Sequence, residues 1–394
     1  MRAYQVLKNI YHLLQAEVWR ATYGWPDKNM TIIGVTGTNG KTTTCHLVAS
    51  ILAKHYGQEK VGMLTTIAFR FGKEEVVNKS KMTTLKSELV FQYLKKMRRQ
   101  GVQYVVLEMT SHALDQNRLH GIKLAGAIIL NIAREHLDYH KSMEAYAAAK
   151  QRILEYVVAD GVVVGKSDDV LVEQILKRAE KQNLKVERFT SSEAQTVSTP
   201  LPGAVNKENA LAAITLMRAL GTSEEILKAG IDAVKHVSGR MEVVKAPSGF
   251  EIIIDYAVTP DALDRLYSDT RQKVRGKIYG VLGACGLRDR GKRPDMARAV
   301  VQYADEVIIT NEDPWTEPPE QIFSDLEAGL KDTNKKWQRI PDRRQALDYV
   351  IKKAQAGDII IATGKGAERG MAFGKTIVPW HERTVVEELL KART

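Results

Sequence analysis

Cysteine is scarce in this chain: two residues in 394, Cys45 and Cys285, far apart. That excludes a disulfide framework and offers none of the paired spacing that holds structural zinc. A reducing, cytoplasmic setting fits, and Cys45, inside a helical pattern, reads as a small buried hydrophobe. Long apolar runs are missing too, so no stretch approaches a membrane span. The first residues, MRAYQVLKNIYHLLQAEVWRATYGWP, are amphipathic and broken by charges rather than leader-like. They read as a surface helix packed on the main body; a weak membrane-surface helix is the alternative, but its polar face lacks a dense basic stripe. No basic run interleaves with aromatics, so the net charge of +11 points to polyphosphate substrates rather than to nucleic acid. Internal repeats and low-complexity segments are absent.

The run from Thr31 to Thr44, TIIGVTGTNGKTTT, carries the strongest local signal. An apolar strand enters a turn containing Gly37, Thr38, Asn39 and Gly40. Lys41, Thr42 and Thr43 then open a helical pattern. Glycines let backbone N–H groups approach a polyphosphate, and the helix N-terminus adds positive partial charge. In such a loop the lysine reaches the β- and γ-phosphates and the next hydroxyl ligates Mg²⁺. Val35 stands where the general consensus has its first glycine. The expectation is a nucleoside triphosphate site using ATP and Mg²⁺.

A chain of 394 residues exceeds what one core usually holds, so two domains or more are expected. Beyond the loop, apolar strand patterns alternate with helical ones: VQYVVLEM, KLAGAIILN, SMEAYAAAKQRILEYV, DGVVVG, DDVLVEQILKRAEKQN and NALAAITLMRAL. A second alternating series begins near Gly239, with EIIIDY, KIYGVLG, DEVIIT and DIIIAT as strands. SSEAQTVSTPLPG, between DDVLVEQILKRAEKQN and NALAAITLMRAL in the first series, reads as a surface loop. The fold class is therefore α/β: a P-loop-containing central domain with a mostly parallel sheet, plus a C-terminal Rossmann-like α/β domain. The expected boundaries are a helical segment over 1–30, an ATP-binding domain over 31–237 and the second α/β domain over 238–394.

Ligands of open α/β sheets bind at the carboxyl ends of the strands. Polar clusters lie there in both series, which suggests a shared cleft. Glu108 ends one strand, where it suits Mg²⁺ as a hard oxygen ligand or is an ordinary strand-end acid. His136 follows another and is a ligand or a hydrogen-bonded structural histidine. Lys150, in the helical stretch AYAAAK, reads on composition alone as a solvated charge.

With GVTGTNGKTTT, Met82-Thr83-Thr84, LEMTSHALDQNR, NIAREHLDYHKSMEAYAAAK, NKENALAA, SGRMEVV, DYAVTPDAL, GACGLRDRGKRPDM, TNEDPWTEPP and GKGAERG in this order, the chain resembles the Mur ligases from residue 31 to its end. Within them SHAL, HLDYH, GRME and RDRGKRP are similar to the MurE-type UDP-N-acetylmuramyl-tripeptide synthetases. The resemblance implies a cytoplasmic ligase of peptidoglycan synthesis. ATP activates a substrate carboxylate as an acyl phosphate, and the amine of an amino acid displaces phosphate to form an amide. It implies small-molecule substrates, no nucleic acid, no membrane span and a monomer. It gives Lys41 and the loop from Gly37 to Gly40 the phosphates, and Thr42 with Glu108 one Mg²⁺. His136 and a carbamylated Lys150 take a second metal. Asn206 and Asn209 lie beside adenine; Arg240 and Asp255 contact the nucleotide. Thr83, Thr84, Thr110, Ser111, Gln116 and Arg118 meet the muramoyl-peptide donor. Arg288, Lys292, Asp313, Trp315, Gly364 and Glu368 belong to the region that receives the amino acid. Folylpolyglutamate- or cyanophycin-type ligases, or a non-catalytic ATP-binding scaffold, are the alternatives.

The chain departs from the pattern at four places. Val258 replaces the histidine of DYAHTP, and Ala367 that of GKGHE. Glu312-Asp313-Pro314-Trp315 stands for the DNPR motif of diaminopimelate-adding enzymes, and an indole cannot make a guanidinium's paired bonds to a carboxylate. About thirty residues precede the phosphate loop, too few for the separate uridine-binding domain of the family. Reduced dependence on the uridine diphosphate end of the donor is expected. The aromatics Tyr11, Trp19, Tyr23 and Trp25 are expected to pack on the central domain or, alternatively, to stack on a uridine.

Overall fold

A computed structural model of the chain describes residues 2–393. These residues divide into two compact units, residues 2–132 with 142–235 and residues 133–141 with 236–393.

The first unit is built on an eight-stranded sheet. Its strands are β1 (Thr31–Thr36), β2 (Val61–Leu64), β3 (Ala68–Phe71), β4 (Glu74–Val77), β5 (Tyr104–Glu108), β6 (Leu124–Ile129), β7 (Val157–Lys166) and β8 (Lys185–Phe189), in spatial order β4-β3-β2-β5-β1-β6-β7-β8. All neighbours are parallel except the β2–β3 and β3–β4 pairs. Central strands are buried on both faces, as helix-covered parallel strands must be, and hence read as continuous apolar runs. Val105, Val106, Ile128 and Val163 are fully buried, each side chain contributing about 1.5–3 kcal/mol. Helix α1 (Arg2–Thr22) packs on α3 (Ser87–Arg99) through Ala16 and Trp19. Trp19 stacks on Tyr23 with ring centroids 5.9 Å apart, and both rest against the core. Tyr11 and Trp25, by contrast, are exposed. The expected packing therefore holds for two of the four N-terminal aromatics. Helix α2 (Lys41–Tyr56) follows β1 directly and buries its apolar residues beneath the sheet.

The second unit has a six-stranded sheet made of β9 (Glu242–Lys245), β10 (Glu251–Asp255), β11 (Ile278–Leu282), β12 (Glu306–Ile309), β13 (Lys336–Arg339) and β14 (Ile359–Thr363), ordered β13-β12-β11-β14-β10-β9. Only β9 runs antiparallel to its neighbour. A hairpin of β15 (Gly370–Phe373) and β16 (Thr376–Pro379) follows. Local chemistry sets where the helices start. Thr259 caps the helix Pro260–Lys273 by accepting from the Ala262 N–H at 3.2 Å, with proline at the first turn. The short segment Ala133–Lys141 packs with this unit. Lys292 holds it there, its ammonium 2.9 Å from both oxygens of Glu135.

Both sheets thus agree with the expected α/β class. Three details differ. The helix expected from Asn209 starts at Ala204, because Gly203 supplies the turn before it. The helix expected over 142–157 ends at Gln151 and tightens into a 3₁₀ turn. The loop around Ser191 contains a helical turn with a complete Thr190–Glu193 capping box.

Candidate active site

Strand β1 carries the chain into the glycine turn at the carboxyl edge of the first sheet. Gly40 occupies the left-handed region at φ 85° and caps α2. A Cβ there would collide with the Asn209 side chain, so the position demands glycine. The turn is fixed from outside. Asn39 N–H donates to Asn131 Oδ1 at 2.8 Å, Asn131 returns a bond to the Asn39 carbonyl, and Thr38 meets the Tyr146 hydroxyl at 3.1 Å. The Lys41 ammonium lies over the turn, donating to the Gly37 and Thr38 carbonyls at 3.1 and 2.9 Å. Thr43 is buried one residue beyond Thr42.

Glu108, at the end of the adjacent β5, is 3% exposed. Its carboxylate accepts from the Thr42 hydroxyl at 3.0 Å, from the Thr66 N–H at 2.9 Å and from the Thr66 hydroxyl at 2.9 Å. Thr66 in turn reaches Thr83 at 3.1 Å. This is a compact set of hard oxygen donors, and it fits Mg²⁺. Thr66 was not anticipated from the sequence; it sits in a turn after β2 with no motif around it. Thr84 donates to the Glu108 carbonyl at 2.8 Å and accepts from the Thr110 N–H at 3.0 Å. Arg118 donates to Gln116 at 2.6 and 2.9 Å and to the Thr84 carbonyl at 3.0 Å. Ser111, buried, opens helix α4 (Ser111–Asp115) behind the Thr110 cap. The structure therefore brings Thr83, Thr84, Thr110, Ser111, Gln116 and Arg118 together beside Glu108.

Lys150 is 1% exposed, so it is not the solvated charge its local sequence suggests. Its ammonium donates to the Gly37 carbonyl at 2.7 Å and lies 4.6 Å from the centre of the Tyr146 ring. Asn206 and Asn209, one turn apart, are bonded to each other at 3.2 Å, and Asn209 faces Gly40. His136, with φ 56°, is on the segment grouped with the second unit, 3.8 Å from the Glu135 carboxylate.

In the second unit, Asp255 ends β10 and accepts from the Met241 and Ala257 N–H groups at 2.6 and 2.7 Å. Burial holds its carboxyl above the usual range. Arg240 stacks over Tyr256, 4.5 Å from the ring centre. Three further strand ends converge. Lys365, fully buried after β14, donates to Asp313 at 2.8 Å and to Glu368 at 2.6 Å. Tyr256 donates to the other Glu368 oxygen at 3.3 Å. Glu312 is 4% exposed, and its Oε2 has no hydrogen-bond partner among the described residues. Burial pushes its carboxyl up to about 7, with Lys365 opposing. Gly364, at φ 99°, leaves room for that side chain: a Cβ would lie 3.0 Å from the Glu312 carboxyl carbon. Trp315 has φ 52° and is tied by its backbone to Ala372 and Gly374 of the hairpin, while Arg288 is on the exposed loop after β11. Glu312 and Lys365 lie inside the TNEDPWTEPP and GKGAERG motifs, but nothing in those motifs marks either as a buried charge.

Residues 35–197 match the Mur ligase middle domain, and residues 239–366 match the Mur ligase glutamate ligase domain. The chain belongs to the Mur ligase family. It is similar to the UDP-N-acetylmuramoyl-L-alanyl-D-glutamate–2,6-diaminopimelate ligase of Geobacillus thermodenitrificans, with 33% identity over 95% of this chain and 81% of that one. The protein of the same name from Bacillus cereus is 34% identical over 94% of this chain and 80% of its own. A solved structure of an enzyme with this name aligns with a TM-score of 0.60 at 30% identity, covering 97% of this chain and 82% of the other. The folylpolyglutamate synthase of Mycobacterium tuberculosis aligns with a TM-score of 0.69 at 18% identity, over 90% of this chain and 96% of the other, which is a likeness of fold. As a Mur ligase of the MurE type, the chain is an ATP-dependent, carbon–nitrogen bond-forming enzyme that uses Mg²⁺. Among the described residues no helix is long and apolar enough to cross a membrane.

Proposed function

We propose that this ligase adds an amino acid to the free carboxylate of a UDP-N-acetylmuramoyl-L-alanyl-D-glutamate-like donor, the donor named in its relatives. One observation carries the reading. The loop lysine, the buried Glu108–Thr42–Thr66 oxygen set and the buried Lys150 converge on one glycine turn. Lys41 and the loop N–H groups neutralise the ATP phosphates. A donor carboxylate oxygen attacks the γ-phosphorus, the bond to the β–γ bridging oxygen breaks, and ADP leaves. The acceptor nitrogen then adds to the acyl carbon and loses a proton, and phosphate leaves with the acyl oxygen. Two anions meet in the first step, so preorganised cations and backbone donors lower the barrier.

Thr42 and Glu108 would hold one Mg²⁺; His136 and a carbamylated Lys150 would hold a second. The metal, when bound, screens the facing anions. Gly37 to Thr43, Asn206, Asn209, Arg240 and Asp255 would bind ATP. Thr83, Thr84, Thr110, Ser111, Gln116 and Arg118 would position the donor. Arg288, Lys292, Asp313, Trp315, Gly364 and Glu368 would receive the amino acid. Lys292 already neutralises Glu135, so its contribution would be to place that loop. We further propose a helical segment over 1–30, a central domain over 31–237, a C-terminal domain over 238–394, a monomeric state and a cytoplasmic location.

The test is ADP release with this donor against a panel of amino acids, with the amide identified by mass spectrometry. Lys41→Ala should lower the rate by a hundredfold or more, since it removes a charge-assisted contact worth several kcal/mol, typically about 3. ADP release at full rate without any amide product would overturn the reading.

A further inference from the structure

Helix α1 is apolar on the side that faces water. From residue 10 to residue 21 every exposed residue is apolar or aromatic: Ile10, Tyr11, Leu14, Val18 and Ala21. Spacings of three and four place them in one row along the helix. Packing on α3 accounts only for the opposite face, where Ala16 is buried and Trp19 and Tyr23 rest on the core. Gln15 donates to the Tyr11 hydroxyl at 2.8 Å, so the polar tip of that ring is satisfied beside the row. One exposed apolar side chain is ordinary in a protein surface; a contiguous row marks a contact. Cations gather where the row ends. Arg98 of α3 donates to the Gly24 and Trp25 carbonyls at 3.0 and 3.2 Å, and Arg99 beside it is exposed. Lys95 lies 5.4 Å from the centre of the Tyr23 ring, and Lys28 lies 5.2 Å from that of the exposed Trp25. The acids of this segment are already engaged: Asp27 is bridged to Arg20 at 2.8 Å, and Glu17 is 3.2 Å from His120. The helix has no dense basic stripe of its own, and α3 supplies the missing charge.

We propose that the outer face of α1, with the cations at its end, docks this protein reversibly on a bilayer surface bearing anionic headgroups. Ile10, Leu14 and Val18 enter the boundary between headgroups and acyl chains, as the apolar face of an interfacial helix does. Trp25 and Tyr11 sit at the level where rings with a polar tip are favoured. Lys28, Arg98 and Arg99 meet the lipid phosphates. A second copy of the chain fits less well. A few part-exposed side chains on one helix offer much less than the roughly 1,200 Å² that a stable protein interface buries. A parallel pair of such helices would also bring the two cation clusters together. A bilayer sets no such area and has the opposite charge. The turn after α1 leads into the amino end of β1, and α3 leads toward that of β5. The cations therefore lie at the sheet edge opposite the glycine turn, and docking there leaves the phosphate loop open.

The test is flotation of the full-length protein with phosphatidylcholine vesicles and with vesicles in which about half of the lipid is phosphatidylglycerol. Partition into the anionic vesicles should exceed that into the neutral ones at least tenfold, and should fall at least tenfold between about 0.1 and about 0.5 M NaCl. Leu14→Gln with Val18→Gln removes the apolar row without adding charge and should cut anionic binding at least tenfold. Lys28→Glu with Arg99→Glu should do the same through the cations. All four positions are exposed, so both variants should unfold at the wild-type temperature, which separates loss of the surface from loss of the fold. Failure to bind the anionic vesicles, or equal binding to both kinds, overturns the proposal. Binding that the Leu14–Val18 variant leaves unchanged would be general adsorption of a chain with net charge +11, and also overturns it. A dimer seen by sedimentation without vesicles, and abolished by the same variant, would make this face a contact between copies and overturn it as well.

Discussion

Lys150 donates to the carbonyl of Gly37, 2.7 Å away, and so ties a helix 113 residues distant to the phosphate turn. The lysine is 1% exposed and lies 4.6 Å from the centre of the Tyr146 ring. A lysine amine held inside the fold beside the phosphate turn is placed to react with CO₂. Reaction of that amine with CO₂ gives a carbamate, an oxygen ligand suited to Mg²⁺. Lys150→Ala should reduce turnover at least a hundredfold, and short carboxylic acids in the assay should restore part of it. No rescue, together with a free ammonium in a well-ordered map of the metal-loaded enzyme, would refute the carbamate.

Thr66 is the part of the oxygen set with no sequence signature. It gives Glu108 two of its hydrogen bonds, one from the backbone and one from the hydroxyl. Thr66→Val keeps the first and removes the second. The carboxylate then loses one orienting donor, an effect of about 1–2 kcal/mol on the arrangement it holds. The Mg²⁺ concentration giving half-maximal rate should rise about tenfold, with the ATP-saturated rate in excess Mg²⁺ changed less. A metal dependence identical to wild type would remove Thr66 from the site.

Much of this architecture is legible in the chain because central parallel strands are uniform. β1, β5 and β14 are short apolar runs ending in a polar residue, β11 is an apolar run ending at a glycine turn, and each run is a strand. The turn from Gly37 to Lys41 is legible for the same local reason. Edge elements are not. β4 is exposed along its length and reads EEVV, and β16 reads TIVP with every residue exposed. Neither shows the alternation that marks a half-buried strand. The burial of Lys150 and the convergence on Lys365 are also hidden. Asp313 and Lys365 are 52 residues apart, and they meet only because β12 and β14 flank β11. Strand order is a long-range result of packing, so no window of sequence contains it.

Arg343 and Glu382 form a pair in which both side chains are fully buried. Glu382 also accepts from the Trp380 indole at 2.6 Å, and Arg343 donates to the Thr363 carbonyl at 2.7 Å. The pair braces the end of β14 just before Gly364. Arg343→Met strands the carboxylate in the interior and should cost about 3–5 kcal/mol of stability. The double variant Arg343→Met with Glu382→Leu should recover much of that loss, because neither charge is then buried alone. Chemical denaturation of the three proteins measures it. A double variant as unstable as the single one would mean that packing, not charge, is at stake.

Glu312 should leave a mark on stability with a sign opposite to that of most carboxylates. Its carboxyl titrates at about 7 in the fold, against an ordinary value near 4.5, chiefly because it is buried. Asp313 and Glu368 push in the same direction, while Lys365 and Arg343 oppose them. Between those two pH values the folded chain holds a proton that the unfolded chain has released. Stability attributable to this group therefore falls as pH rises from about 4.5 to about 7, and levels off above. Glu312→Gln removes the titration. The variant should gain about 1–3 kcal/mol over wild type at pH 8 and little at pH 5. The comparison is urea denaturation of both proteins at the two pH values, without amino acid present. A wild-type minus variant difference that is the same at both pH values would show that Glu312 stays ionised throughout, already satisfied by groups within the fold.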